Sequence, residues 1–326
     1  MFWQFLFNFP FLQARGFRLE QDSFQSEYGL SFLGRFVNGQ VTGNFWAGMK
    51  GRGFIHGKAD DQGRASGPNI SYIYPDGETA FLGHFENLQM KEAFHADVLE
   101  YGCDDFGIPI VKKFTQPLSQ QVFKYEPCTN ISIGGGAPIH VQDPYELKTV
   151  QMSESSIPKS GEGVFLKRDV PRHRFACMYS YFLYRRPDEA LLYKEACTYN
   201  VSKSDDFRRN CKKYGIPLIS YGAVINIPPE FDINPLPNLG PKVNHHFTLN
   251  NSRYTEIEHP RWGLIMAVMP NRDMKKGEEL FTHYGYSAPM PFPEDYPWYF
   301  EEKKRIEQEK KLKKKSSNKK KSKTKK

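Results

Sequence analysis

Three short segments of this 326-residue chain carry side chains that could do chemistry. The first is Ser160-Gly161-Glu162-Gly163-Val164-Phe165, a glycine-rich turn running into a strand. Glycine has no Cβ, so such a turn lets backbone approach a ligand closely. It is not a dinucleotide fingerprint, which needs a third glycine and a following helix. Taken alone it is a tight turn. The second is Asn244-His245-His246-Phe247, followed by Asn250 and Tyr254. A histidine pair suggests a metal, but neighbours on a strand point to opposite faces, and no third ligand stands at metal spacing. No metal site is expected. The third is Glu278-Glu279-Leu280-Phe281-Thr282-His283-Tyr284-Gly285-Tyr286, which alone reads as a strand ending in an aromatic turn.

These segments need elements to hold them. Strand-like runs occur at 164–166, 174–183, 218–227, 263–269 and 279–282, with a charged, helical-looking insert over 188–213. From Trp298 the pattern turns helical and continues to Glu309. Upstream, residues 30–110 are rich in glycine and aromatics. Phe32-Leu-Gly-Arg-Phe36 recurs as Phe81-Leu-Gly-His-Phe85, each followed by a turn signal, Val37-Asn-Gly39 and Glu86-Asn87. Glycines 34, 57 and 83 stand 23 and 26 residues apart. Short aromatic strands at a repeating interval predict an array of antiparallel β-hairpins, each packed on the next.

Charge is divided unevenly. Of the 45 basic residues 14 fall within 303–326, and four of the 37 acidic residues fall within 301–309. The first 300 residues therefore hold 31 basic and 33 acidic side chains, a net of −2. Affinity for polyanions is expected of the tail alone. The five cysteines, at 103, 128, 177, 197 and 211, are odd in number, widely spaced and free of any C-x-x-C, which argues against a disulfide framework and structural zinc and for a reducing compartment. The apolar start MFWQFLFNFPFL lacks a basic leader and a small-residue cleavage pattern, and is too short to span a bilayer. It reads as a ragged strand or an incomplete N-terminus.

The order and spacing of the three segments resemble the SET domain of lysine methyltransferases: G-x-G, then about 80 residues on Asn-His-x-Phe, then about 35 residues on Glu-Glu-Leu with Tyr-Gly-Tyr. The upstream motif resembles the MORN repeat. The resemblance covers roughly residues 30–305 and is strongest at 160–180 and 240–302, to the MORN-SET type that monomethylates lysine 4 of histone H3. It implies a mostly β fold: a curved antiparallel MORN-like array over 30–110 after an unassigned start at 1–29, a connecting segment over 111–145, a SET domain of small sheets with a knot-like C-terminal crossing over 146–290, a C-terminal helix over 291–309 and a disordered lysine-rich tail over 310–326.

It also implies a site. Ser160, Gly161 and Glu162 would meet the methionine end of S-adenosylmethionine. Lys242, Asn244 and His245 would hold the cofactor's carboxylate and adenine, with Trp298 packing on adenine and Glu302 contacting the cofactor. Tyr179, Tyr254 and Tyr284 would line the lysine channel, with Tyr284 central and no metal involved. The chemistry suits such residues. A methyl passes from sulfonium to a neutral amine, and an aromatic channel lowers the lysine pKa from about 10.4 by penalising its charge.

Departures exist. His246 stands where the family has Ser or Asp, Leu249 where it has Pro, Ser180-Tyr181 where the near type has Asn-Gly, and one residue is inserted before Tyr254. The segment 183–216 is longer and more charged than the family's. No cysteine-rich motif follows Tyr286, which fits a zinc-free subtype. The expected partner is histone H3 or another lysine-bearing protein, in the nucleus on the chromosome. The tail over 310–326 is read as a nuclear signal or a contact for nucleosomal DNA, in preference to an anionic membrane surface. Oligomeric state is not legible. The competing reading is a non-catalytic MORN-SET interaction or scaffold protein.

Overall fold

In this computed structural model the described residues are 23–25, 31–126 except 39, 50 and 51, 141–185 except 159 and 181, 216–218, 223–226, 238–284, and 301–312 except 302. The expected helical insert over 188–213 and the tail beyond 312 lie outside them.

The protein is mostly β. Its N-terminal part is one nine-stranded antiparallel sheet: β1 (Ser23–Gln25), β2 (Ser31–Val37), β3 (Gln40–Met49), β4 (Gly53–Lys58), β5 (Gly67–Ile73), β6 (Thr79–Glu86), β7 (Gln89–Cys103), β8 (Pro109–Phe114) and β9 (Val122–Phe123). The first eight follow one another in order, and β9 pairs back on β7. Both five-residue motifs lie on strands, and both turn signals make hairpins. Val37 pairs with Gln40 across a turn with Asn38 at φ 50°, and Glu86 pairs with Gln89 across Asn87 and Leu88 at φ 49° and 68°. Two central residues with positive φ match the right-handed twist of the flanking strands. Gly83 has a packing reason as well, since a Cβ there would collide with the backbone of Glu92 and Ala93 on β7.

Side chains alternate across this sheet and feed two cores. Leu33, Trp46, Phe54, Ile73 and Ala80 share one face with Tyr101, Val111 and Phe114. The Trp46 indole donates to the Pro109 carbonyl at 2.7 Å and stacks near Tyr101 at 6.3 Å, so the sheet curls until β3 meets β7 and β8. Register shifts at Gly34/Arg35, Gly67/Ile70 and His84/Phe85 supply the bending that such a curl requires. The other face carries Phe45, Ala47, Ile55, Tyr72, Tyr74, Phe81 and Phe85 into a core shared with the C-terminal half.

That half begins with a short helix, α1 (Pro144–Thr149), which Asp143 caps by accepting from the Tyr145 amide, with proline in its first turn. Small sheets follow: β10 (Val150–Glu154) with β11 (Glu162–Leu166); β12 (Cys177–Tyr179) with the long hairpin β17 (Ser252–His259) and β18 (Gly263–Pro270); β13 (Phe182–Arg185), β14 (Ile216–Leu218) and β15 (Ala223–Asn226); and β16 (Asn244–His245) with β19 (Phe281–Thr282). A closing helix, α2, is seen over 303–312, three residues past the expected end of the helical segment. The run expected as a single strand over 174–183 is two strands that join different sheets, and that expected over 218–227 is split between β14 and β15.

The N-terminal sheet and the C-terminal half share a core. Tyr74 of the first half stacks on Tyr145 at 4.7 Å with the rings 4° from parallel, and both sit with Phe175, Trp262 and Ile265. Arg261, at the tip of the β17–β18 hairpin, is 1% exposed. It lies 3.9 Å from the Trp262 ring and 4.7 Å from the Phe123 ring, and it donates to the Val141 carbonyl and Glu126.

Candidate active site

The three tyrosines singled out in the sequence come together around one turn, the 3-10 segment Gly240–Lys242 and its exit residue Val243. The Tyr254 hydroxyl, from β17, donates to the Gly240 carbonyl at 3.2 Å. The Tyr284 hydroxyl, just past β19, donates to the Val243 carbonyl at 2.8 Å. Tyr179, the last residue of β12 and 2% exposed, meets Tyr254 edge to face at 6.0 Å. Gly240 lies against the backbone of β12, where a Cβ would collide with the Met178 carbonyl and the Tyr179 amide. Residues some 105 positions apart in sequence thus surround the same few backbone atoms.

What holds β12 against that turn is a residue the sequence did not flag. Glu146, on α1 and buried, accepts the Met178 amide with one carboxyl oxygen and the Leu239 amide with the other, the latter at 2.8 Å. Burial pushes its carboxyl well above the ordinary range, and the neighbouring Asp143 adds to the push. Next to this clasp the Asn238 amide donates to the Ser180 hydroxyl, both buried.

On the far side of the turn the chain forms its parallel bridge: Asn244 pairs with Phe281 and His245 with Thr282. Asn244 donates to the Glu162 carbonyl at 2.9 Å, tying the glycine-rich turn to the bridge. The His245 Nδ1 accepts the Tyr284 amide at 3.0 Å, so the ring proton sits on Nε2. Burial, with His283 and His246 adding, lowers the pKa of His245 to about 3, and the ring is neutral across the physiological range.

Glu279 knots the same region from beneath. Its carboxylate accepts from the Ser155 hydroxyl at 2.7 Å and from the Ser156 amide and hydroxyl at 2.8 and 2.7 Å. Gly163 is glycine because a Cβ would occupy the position of that carboxylate. Asn251, rather than the Asn250 noted in the sequence, completes the arrangement: its amide group accepts from the Phe281 amide at 2.9 Å and donates to the Glu279 carbonyl at 2.7 Å, imitating a strand partner.

Beside the bridge lies a cleft of about 540 Å³, within the span of roughly 300–1,000 Å³ usual for small-molecule sites. Among the described residues its walls are Ser156, Ile157 and Pro158, then His245, His246, Phe247, Leu249 and Phe281, with Glu301 and Arg305 from the closing helix region. A neutral imidazole, two phenylalanines, and one acid and one base at the helix fit a ligand with a flat heterocycle and a charged end. S-adenosylmethionine is such a molecule, and the residues present suit it.

Of the residues expected to hold a cofactor, His245 lines this cleft, and Asn244 is its neighbour on the bridge. Ser160, Gly161, Glu162 and Lys242 are not on the described lining, and the loop instead presents Ser156–Pro158. Gly161 has φ 75°, with open space where a Cβ would be. Trp298 and Glu302 lie outside the described residues. Two departures from the family pattern turn out to be bonded to each other: the His246 Nδ1 accepts the Thr248 amide at 3.1 Å and the Leu249 amide at 2.9 Å. The proline expected at 249 could not donate that second bond. No cluster of metal-ligating side chains occurs among the described residues.

Residues 36–104 match the family described as histone H3 K4-specific methyltransferase SET7, N-terminal. The chain is 29% identical over 267 residues to the histone-lysine N-methyltransferase SETD7 of Halocynthia roretzi, a match covering 81% of this chain and 64% of that protein. It therefore spans somewhat less than two thirds of that relative's length. Solved structures it resembles include ctPRC2 in an autoinhibited conformation bound to S-adenosylmethionine, at 20% identity over 42% of this chain and 15% of that one, with a TM-score of 0.30. Another is Chaetomium thermophilum Polycomb Repressive Complex 2 bound to GSK126, at 21% identity over 42% and 16%, also with a TM-score of 0.30. Both likenesses are too slight to bear on function.

Proposed function

We propose that this chain, a relative of the SETD7 type of histone-lysine N-methyltransferase, is itself a protein-lysine methyltransferase that takes its methyl group from S-adenosylmethionine. The observation that carries the reading is the gathering of Tyr179, Tyr254 and Tyr284 around the turn at 240–243, back to back with the cleft walled by His245. When bound, S-adenosylmethionine supplies a methyl on a positively charged sulfur, open to in-line attack by a neutral amine. The chain's own residues do the rest. The aromatic rings around 240–243 disfavour the ammonium form of an entering lysine, so its proton leaves to solvent. The Tyr284 hydroxyl donates its proton to Val243, leaving its oxygen lone pairs to accept an amine N–H and aim the nitrogen toward the cleft. Tyr179 and Tyr254 crowd the amine and leave room for one methyl.

The substrate we assign is histone H3 at lysine 4, monomethylated, with other lysine-bearing proteins as further substrates, in the nucleus on chromatin. The N-terminal sheet is read as an array of MORN repeats, and the lysine-rich tail as a salt-sensitive contact for nucleosomal DNA. The relative's printed activity and the family match over 36–104 support the choice of histone H3 as substrate. No observation favours the non-catalytic alternative.

The test is transfer of labelled methyl from S-adenosylmethionine to recombinant histone H3 and to a mixed protein extract. Transfer to histone H3 that falls about 100-fold or more in Tyr284→Phe, the loss typical of an interaction made at the reacting centre, is the expected result. Transfer to the extract alone would keep the enzyme and discard the histone. No transfer by a folded protein would overturn the reading.

A further inference from the structure

We infer that the seam between the N-terminal sheet and the β17–β18 hairpin holds a second ligand site, which takes a small neutral molecule of the phenol class: one aromatic ring carrying an oxygen that accepts a hydrogen bond from His259. The site goes beyond the proposed methyl transfer and does not depend on it. A cavity of about 140 Å³ lies at this seam. Its walls include Ala47, Ile55 and Tyr72 of the sheet, then Tyr125, and His259 and Pro260 at the hairpin tip. None of these residues lines the cleft beside the parallel bridge. Ala47, Ile55, Tyr72 and His259 are all buried.

His259 is the polar exception among those buried walls. Its Nδ1 accepts the Arg261 amide at 3.2 Å and the Trp262 amide at 3.4 Å, so the ring proton sits on Nε2. Burial, with Arg261 adding, holds the ring pKa well below the ordinary 6.5, and the imidazole stays neutral with that one N–H. Nε2 is shut off from solvent and has no hydrogen-bond partner among the described residues. A buried donor left without an acceptor costs stability and is rare in folded proteins. The neighbouring Tyr72 meets the imidazole edge to face at 4.8 Å, and its hydroxyl proton is already committed to the Arg52 carbonyl. What the seam lacks is an acceptor. Volume sets the rest of the ligand. One water has a share of about 30 Å³, which would leave most of the apolar wall uncovered, whereas an apolar cavity of about 150 Å³ takes a benzene ring. A ring suits the aromatic walls, and a neutral oxygen matches a neutral N–H, since a charge carried into this apolar end would be penalised.

The experiment is an NMR titration of the full chain with phenol and with toluene, which has the same shape with a methyl in place of the hydroxyl. Wild type, His259→Asn and Ala47→Leu are compared. His259→Asn keeps an acceptor for the two hairpin amides and removes the imidazole N–H. Ala47→Leu fills the cavity and leaves the donor in place. Wild type is expected to bind phenol saturably. His259→Asn should weaken phenol about tenfold, the worth of one hydrogen bond, and toluene less than about threefold. Ala47→Leu should weaken both ligands. In wild type phenol, but not toluene, should move the His259 Nε2–H proton resonance downfield, a readout that needs no variant. Equal weakening of the two ligands in His259→Asn, or a resonance that phenol leaves unmoved, would remove His259 from the site. No saturable binding of phenol by folded wild type, or unchanged binding by folded Ala47→Leu, would overturn the site itself.

Discussion

Tyr254 and Tyr284 make the same kind of bond, hydroxyl to backbone carbonyl, yet the two bonds hold different things. Tyr284 joins the stretch after β19 to Val243 and, through its amide, to His245. Tyr254 makes a longer bond, 3.2 Å, to Gly240 at the mouth of the same turn, beside Tyr179. Removing the Tyr254 hydroxyl empties volume next to the proposed amine position without disturbing the bridge. Tyr254→Phe is therefore expected to shift product from monomethyl toward dimethyl lysine, read by mass spectrometry of the modified peptide. Exclusively monomethyl product would show that Tyr254 does not limit the pocket. These tyrosines were singled out in the sequence by the family resemblance alone, not by any local signal. Glu146, Glu279 and Asn251 were not. They bond backbone amides and carbonyls far away in sequence, and nothing local distinguishes a carboxylate that will be buried from one left in water.

At the scale of elements, α1 is only six residues long, and its importance comes from where it aims Glu146. One carboxyl oxygen takes β12 and the other takes the segment entering 240–242, so the helix couples a strand to the turn at the site. Glu146→Gln keeps the shape but turns an N–H₂ toward one of those amides. The loss should be about 1–3 kcal/mol in chemical unfolding, the cost of unsatisfied buried donors. The pH dependence has a definite sign. Because the folded pKa of Glu146 lies above its ordinary 4.5, its stability contribution is complete below that value and declines as pH rises toward the folded pKa. The penalty of Glu146→Gln should accordingly be larger at about pH 5 than at about pH 8, compared by melting temperatures. A penalty growing with pH would mean the carboxyl ionises freely. The hairpin array was readable from the repeated Phe-Leu-Gly motif and its turns. The split of 174–183 into β12 and β13 was not, because a continuous apolar run carries no mark where it changes sheets.

For the whole molecule, composition shifts between the glycine- and aromatic-rich N-terminal sheet and the C-terminal half. What composition cannot reveal is that Tyr72, Tyr74 and Phe81 of one half and Tyr145, Phe175 and Trp262 of the other fill a single core. Calorimetric unfolding should accordingly show one transition with matching calorimetric and van't Hoff enthalpies. Trp262→Ala, which removes a side chain 1% exposed, should cost about 3–5 kcal/mol and lower that one transition without splitting it. Two resolved transitions in wild type would show that the halves are energetically separate. Among the described residues no helix is long and apolar enough to cross a membrane, and the body's net charge of −2 leaves the basic tail as its electrostatic contrast.

The Glu279 seam has a bearing on time as well as on space. Ser155 and Ser156 wait for a carboxylate 123 or 124 positions later in the chain, and Asn244 waits 37 for Phe281. Contacts that close loops of such length are the slow ones in folding, because the chain must search before any bond rewards it. During synthesis the curled sheet can assemble strand by strand as each hairpin emerges. The cleft has no such order available: until residues 279–284 leave the ribosome, Ser155, Ser156 and the 244–246 segment lack the partners that fasten them to each other. A chain interrupted shortly before Glu279 thus carries nearly all of the core and most of the cleft's residues, but not the seam that holds them together.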